Sequence, residues 1–205
     1  MLQNNTTVLF QGDSVTDAGR SRVSDRLLGS GYPAKVRSLI KKEYPESSIK
    51  VINRGISGNR AVDLLNRWEN DCVLLKPDYV SILIGVNDTW RRYDNNDITP
   101  ADIFKDRLRK IIELTLEKTP AQIVLLNPFL LDINEKITLM REDLCLKQEA
   151  VAALAKEYGT KFIDLDQIFK DAAEKRSPDY YAADGVHPTK AGHTLIAKEW
   201  LKAWA

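Results

Sequence analysis

Short apolar runs that stop abruptly at glycine or polar residues recur five times along the chain, and they constrain its fold more than any other feature. Val8, Leu9 and Phe10 form the first, directly ahead of Gln11-Gly12-Asp13-Ser14; the others occupy 49–53, 79–84, 123–127 and 161–165. Each is short for a helix and is bounded by turn residues, the pattern of a buried strand. Between the runs, apolar residues fall at helical spacing. Val36, Leu39 and Ile40 mark a helix over 33–44 that Pro45 closes, and Leu64, Leu65 and Trp68 mark one that continues towards Leu75 and stops before Pro77. Thr99-Pro100 opens a long helix with Phe104, Leu108, Ile111 and Ile112 on one face, reaching Lys118. A second long helix spans 137–158, with Gly159 just past its end. A short helix follows the fifth run, and Ile196, Trp200 and Trp204 share one face of a closing helix. From Ser14 to Gly31 the chain is polar and reads as a long loop or a frayed helix. Strands alternating with helices predict an α/β fold, with a five-stranded, mostly parallel sheet at the centre of a three-layer α/β/α sandwich. At 205 residues, without repeat or linker, the chain reads as a single domain over 1–205.

Thirty basic residues against twenty-nine acidic ones leave a formal charge of +1, with no long run of either sign. That balance argues against nucleic acid or an anionic membrane surface as a partner. No segment reaches the ~18 consecutive apolar residues of a membrane span. The N-terminus lacks a basic region followed by an apolar one, so a cytoplasmic location is expected. Cys72 and Cys145 match no metal-ligand spacing and are expected to be buried free thiols. Phosphate-loop and dinucleotide glycine signatures are absent, and no metal or cofactor is expected.

Chemistry is expected where the apolar runs end. Ligands of open α/β sheets sit beyond the carboxyl ends of the strands, and Gly12 permits the sharp turn that places Ser14 there as a candidate nucleophile. Taken alone, Gly-Asp-Ser also describes a helix N-cap or a turn serine. The chain has two histidines. His187, turned away from helical geometry by Pro188, follows Asp184 by three residues across a turn containing Gly185. That spacing lets the carboxylate hold one ring nitrogen while the other meets a hydroxyl, although it also fits an ordinary surface loop. His193 lies among Leu195, Ile196 and Ala197 and is read as structural. Gly58, in the turn from Gly55 to Asn59, can present a backbone N–H without a side chain in the way, and the Asn87 amide can aim a second donor at the same oxyanion. A turn glycine and a capping amide are the alternatives. Trp90 and Tyr181 border the same crevice and suit either a sugar ring or loop packing.

Four blocks together resemble the SGNH hydrolases, also called GDSL esterases or lipases, in the family's order and over nearly the whole chain. They are Gly12-Asp13-Ser14, Gly55-Ile56-Ser57-Gly58-Asn59, Gly85-Val86-Asn87-Asp88 and Asp184-Gly185-Val186-His187-Pro188. Val15 stands where the family's name has leucine, a similar apolar residue. The resemblance implies a flavodoxin-like SGNH hydrolase fold and a cofactor-free serine esterase. In it Ser14, Asp184 and His187 form the triad, and the Ser14 N–H, Gly58 and Asn87 form the oxyanion hole. Gln11 through Asp17 with Gly19-Arg20, the Gly55-to-Asn59 turn, and Ile84 to Asp88 with Trp90 resemble intracellular bacterial acetylxylan esterases. This implies deacetylation of small xylo-oligosaccharides and leaves a homo-oligomer open. A short-chain lipid esterase, lysophospholipase or thioesterase on the same triad is the alternative, as is a non-catalytic carbohydrate-binding protein.

Overall fold

The computed structural model describes residues 1–204. Its strands are β1 (Thr7–Gly12), β2 (Lys50–Asn53), β3 (Tyr79–Leu83), β4 (Gln122–Leu126) and β5 (Lys161–Ile163). The helices in chain order are α1 (Ser14–Asp17), α2 (Tyr32–Glu43), α3 (Ala61–Asn66), α4 (Trp68–Asp71), α5 (Val86–Asp94), α6 (Ala101–Lys118), α7 (Glu135–Tyr158), α8 (Leu165–Ala173), α9 (Pro178–Tyr181) and α10 (Lys190–Lys202). All neighbouring strands pair in parallel, in the order β2-β1-β3-β4-β5.

Side chains on a strand point alternately to its two faces, and here both faces are dry. Val8 and Phe10 join Val51, Tyr79, Leu83 and Leu126 in a core completed by α2, α8 and α10. Leu9 joins Ile52, Val80, Ile82 and Leu125 in a second core completed by α3, α4, α6 and α7. Local chemistry sets the helix ends. Asn134 caps α7 by accepting the Ile137 N–H at 3.0 Å, and Thr189 caps α10 by accepting from Ala191 and Gly192. From β1 the chain winds outward to β2, then crosses to the far side of β1 and proceeds through β3 to β5. The winding therefore reverses between β1 and β3, which is where such sheets open a crevice at their carboxyl edge.

Some local expectations need correction. The helix expected to run past Trp68 towards Leu75 is broken at Arg67 and again at Cys72, giving α3, α4 and a 3-10 turn over Val73–Leu75. Arg67 leaves helical geometry at φ −105°, ψ 3°, and its guanidinium reaches Gln11 (2.9 Å), Asn59 (2.8 Å), Asp71 (2.8 Å) and the Gly12 carbonyl (3.3 Å). These partners lie on other elements or follow the break, so no local periodicity announces them. The polar segment after β1 begins as the four-residue helix α1. β5 stops at Ile163 because Asp164 caps α8. Cys72 is buried as expected, but Cys145 lies on the outer face of α7 and is exposed. Among the described residues no helix is long and apolar enough to cross a membrane.

Trp200 is fully buried, its ring centroid 5.2 Å from Phe10 and 5.8 Å from Trp204. Replacing it with alanine is expected to cost about 3–5 kcal/mol through lost burial and the cavity left behind. In urea denaturation this should appear as a lower midpoint with an unchanged slope.

Candidate active site

At the end of β1, a Cβ on residue 12 would stand 2.4 Å from the Leu83 carbonyl oxygen of β3 and 2.4 Å from the Thr16 hydroxyl, so only glycine lets the chain turn there. Asp13 then caps α1, its buried carboxylate accepting the Val15 N–H at 3.0 Å. The capping role therefore falls to Asp13, and the Ser14 hydroxyl is left to face the crevice. Its Oγ lies 2.9 Å from His187 Nε2, across 173 positions of sequence. His187 Nδ1 is 2.6 Å from Asp184 Oδ2, while Asp184 Oδ1 accepts the backbone N–H groups of Val186 (2.9 Å) and His187 (2.7 Å). A carboxylate acceptor puts the proton on Nδ1 and leaves the Nε2 lone pair towards the hydroxyl. Burial acts to raise the Asp184 pKa, but the hydrogen bonds from the His187 ring and the two N–H groups outweigh it and hold the carboxyl below its usual range. The loop is tied at its base, where the Thr189 N–H donates to the Tyr181 carbonyl (2.8 Å), and beside its tip, where the Leu131 N–H donates to the Gly185 carbonyl (2.8 Å).

Two candidate oxyanion donors border the same crevice. Ile56 to Asn59 forms a turn closed by the Asn59 N–H on the Ile56 carbonyl at 3.1 Å, with Gly58 at φ +82°. That is the third-position geometry of a type II turn, which calls for glycine. The central Ser57–Gly58 peptide takes no part in the closing bond, so the turn does not use the Gly58 N–H. Asn87 is buried near the start of α5, and one amide N–H donates to the Asn59 carbonyl at 3.1 Å. A primary amide has a second N–H for another acceptor. Next to it, buried Asp88 accepts the Ala61 N–H at 3.0 Å, which ties the turn leading into α3 to the helix that carries Asn87. Burial pushes the carboxyl of Asp88 up to about 6 and that of Asp13 up to about 7, in spite of the N–H groups each accepts. Asp88 belongs to a block the sequence already singled out. Arg67, which holds both Asn59 and Gly12, had no such signal.

The structure treats the aromatics differently. The half-buried Trp90 ring lies 6.0 Å from the His187 ring, tilted by 44°. Tyr181 instead packs against Phe169 (6.2 Å) and Tyr180 (5.0 Å), and lines a cavity of about 730 Å³ near the base of the histidine loop, shared with Arg176 and Lys190. His193 is structural as expected: it is buried in α10 and its Nδ1 accepts the Tyr32 N–H at 3.1 Å. Among the described residues, no group of three histidine, cysteine or acidic side chains is placed to hold a metal ion. An imidazole set between a hydroxyl and a carboxylate can take the hydroxyl proton as a nucleophile forms and hold the resulting charge.

Residues 10–195 match the model of the GDSL-like lipase/acylhydrolase family. The acetylxylan esterase of Geobacillus stearothermophilus is 39% identical over 202 residues, covering 95% of this chain and 92% of that protein. Two solved structures of an acetylxylan esterase from the same organism are catalytic mutants. One, with a serine replaced by alanine, superposes with a TM-score of 0.88 at 34% identity and covers 98% of this chain and 95% of its own. The other, with a histidine replaced by alanine, superposes with a TM-score of 0.91 at 36% identity and the same coverage.

The buried position of His193 has a measurable pH signature. Burial, with the charges of Lys35 and His187, lowers its pKa from an ordinary 6.5 to about 4. Between these values the unfolded chain holds the extra proton, so this residue's contribution to stability is complete above pH 6.5 and is lost as the pH falls towards 4. Relative to His193→Gln, the native protein is expected to lose up to about 1.4 kcal/mol of unfolding free energy per pH unit across that window. Urea denaturation of both proteins at pH 7, 6 and 5 measures the difference, which cancels what Asp13 and Asp88 contribute to each.

Proposed function

Because the chain belongs to the GDSL-like lipase/acylhydrolase family and is a carboxylic ester hydrolase, we propose that it is a serine esterase removing acetyl groups from carbohydrates such as acetylated xylo-oligosaccharides, by way of an acyl-enzyme on Ser14. The observation that carries this reading is the unbroken line from the Ser14 hydroxyl through both nitrogens of His187 to Asp184. His187 accepts the Ser14 proton as Oγ attacks the ester carbonyl, and Asp184 stabilises the imidazolium. The oxyanion receives hydrogen bonds from the Ser14 N–H, the Gly58 N–H and the second N–H of the Asn87 amide. Collapse of this intermediate expels the sugar hydroxyl, protonated by His187. The same imidazole then activates water against the acyl-enzyme, releasing acetate and restoring Ser14.

Two kinds of support favour a sugar acetate. One is the 39% identical relative, which is itself an acetylxylan esterase. The other is local: the Trp90 ring stands beside His187, and the His187 and Asp184 side chains are 46% and 50% exposed. An aromatic face at an open site suits a sugar ring, whereas a long acyl chain calls for an enclosed apolar channel.

Ser14→Ala and His187→Ala are expected to fold normally and to lower kcat by at least about 10⁴-fold. Asn87→Ala, which removes one donor, is expected to lower it by about 10²–10³. Acid release should be greatest from acetyl esters and acetylated xylo-oligosaccharide and fall through octanoyl to palmitoyl esters. A preference for palmitoyl esters, or unchanged hydrolysis by Ser14→Ala, overturns the reading.

A further inference from the structure

An exposed turn does not by itself hold an N–H in a fixed direction, and Ser57 and Gly58 are both exposed. The bonds that hold this turn come largely from the segment that starts with the nucleophile. Asp17 closes α1, three residues after Ser14, with its N–H on the Asp13 carbonyl at 2.8 Å, so its position relative to Ser14 is set by one helical turn. Its side chain is 6% exposed, and a single oxygen, Oδ2, accepts the Ser57 N–H (2.9 Å), the Ser57 hydroxyl (3.1 Å) and the Arg22 guanidinium (2.5 Å). Arg22 and Arg20 also donate to the Gly55 carbonyl, at 2.8 and 2.6 Å. The turn is thus gripped at residues 55 and 57, on the approach to Gly58.

From this we propose that Asp17 is a positioning residue: it fixes the Gly58 N–H relative to the Ser14 hydroxyl by joining the oxyanion turn to the nucleophile's own helix. The inference rests on the roles given to Ser14 and Gly58 above. A carboxylate suits the task because three donors converge on one oxygen, and charged acceptors make the stronger hydrogen bonds. Burial opposes the charge, yet the two Ser57 donors and Arg22 outweigh it and hold the Asp17 carboxyl below its usual range. An amide in its place keeps the size but loses the charge and the guanidinium pair.

Kinetics separate positioning from mere folding support. Acylation and deacylation both pass through an oxyanion, so a misaimed donor slows both steps together and leaves KM nearly unchanged. Deleting an oxyanion donor lowers kcat by about 10²–10³, and misaiming one should cost less, about 10- to 100-fold in Asp17→Asn with KM within about twofold of native. Ser57→Ala, on an exposed turn where folding is secure, removes one of the two Ser57 bonds and is expected to lower kcat about threefold with KM unchanged. Ser14→Ala is assayed alongside on the same acetyl ester, with thermal melts of every variant. A folded Asp17→Asn protein with native kcat, or with raised KM and native kcat, overturns the proposal. If Asp17→Asn does not fold, native kcat in Ser57→Ala does so. Where Ser14→Ala abolishes turnover and Asp17→Asn leaves it intact, only the positioning role fails; where Ser14→Ala retains turnover, the nucleophile assignment falls and the positioning role falls with it.

Discussion

Parallel pairing brings all five strands to an end on the same edge of the sheet, and the architecture of the site follows from that constraint. The connections leaving β1, β2 and β3 all emerge there, and the reversal of winding separates those that follow β1 and β3. The two strands remain close enough that Gly12 nearly touches the Leu83 carbonyl. Ser14 and Asn87 follow these two strand ends, Gly58 follows β2, and the Asp184–His187 loop joins from between α9 and α10. No one segment supplies the site; the shared edge gathers it.

Loops at that edge rest on an apolar cluster that includes Val86, Leu130 and Val186, and they are also held by buried acceptors that take up backbone N–H groups. Asp13 serves α1, Asp88 serves the start of α3, and the Asn53 side chain accepts the Gly55 N–H at 2.9 Å while donating to the carbonyls of Thr16 (2.7 Å) and Leu28 (3.0 Å). Helix α5 is held through a side chain instead. Fully buried Lys147 pairs with Asp143, which also accepts the Thr89 hydroxyl at 2.8 Å. Such groups are costly to bury, and the raised pKa values of Asp13 and Asp88 record that cost. In exchange, each bond has a direction, which an apolar contact lacks. The turn that carries Gly58 and the helix that carries Ser14 are therefore held in register rather than merely packed together.

The strands, the long helices and the four motif blocks were legible because each is written locally, in period, composition and turn residues. Asp184 and His187 could be paired from three-residue spacing, since the turn between them is self-contained. What sequence could not show depends on partners far along the chain. Arg67 breaks a helix that its apolar neighbours would have continued, and most of its partners lie on β1 and the turn after β2. Cys145 sits among apolar residues, yet the exposed side of α7 also carries leucines such as Leu139 (64% exposed) and Leu146 (49% exposed), so composition did not betray its exposure. Trp90 and Tyr181 looked alike in sequence, and only the fold sets one beside His187 and the other against Phe169.

The geometry of the 184–187 turn has an asymmetry. Asp184 bonds its own turn's N–H groups as well as the imidazole, so carboxylate and imidazole form one preassembled unit, whereas the side-chain link from that unit to Ser14 is a single 2.9 Å contact. The mutual geometry of Asp184 and His187 is thus fixed within their own turn, while their reach to the Ser14 hydroxyl is set by how that turn is seated, through the Leu131 and Thr189 N–H groups and the burial of Val186.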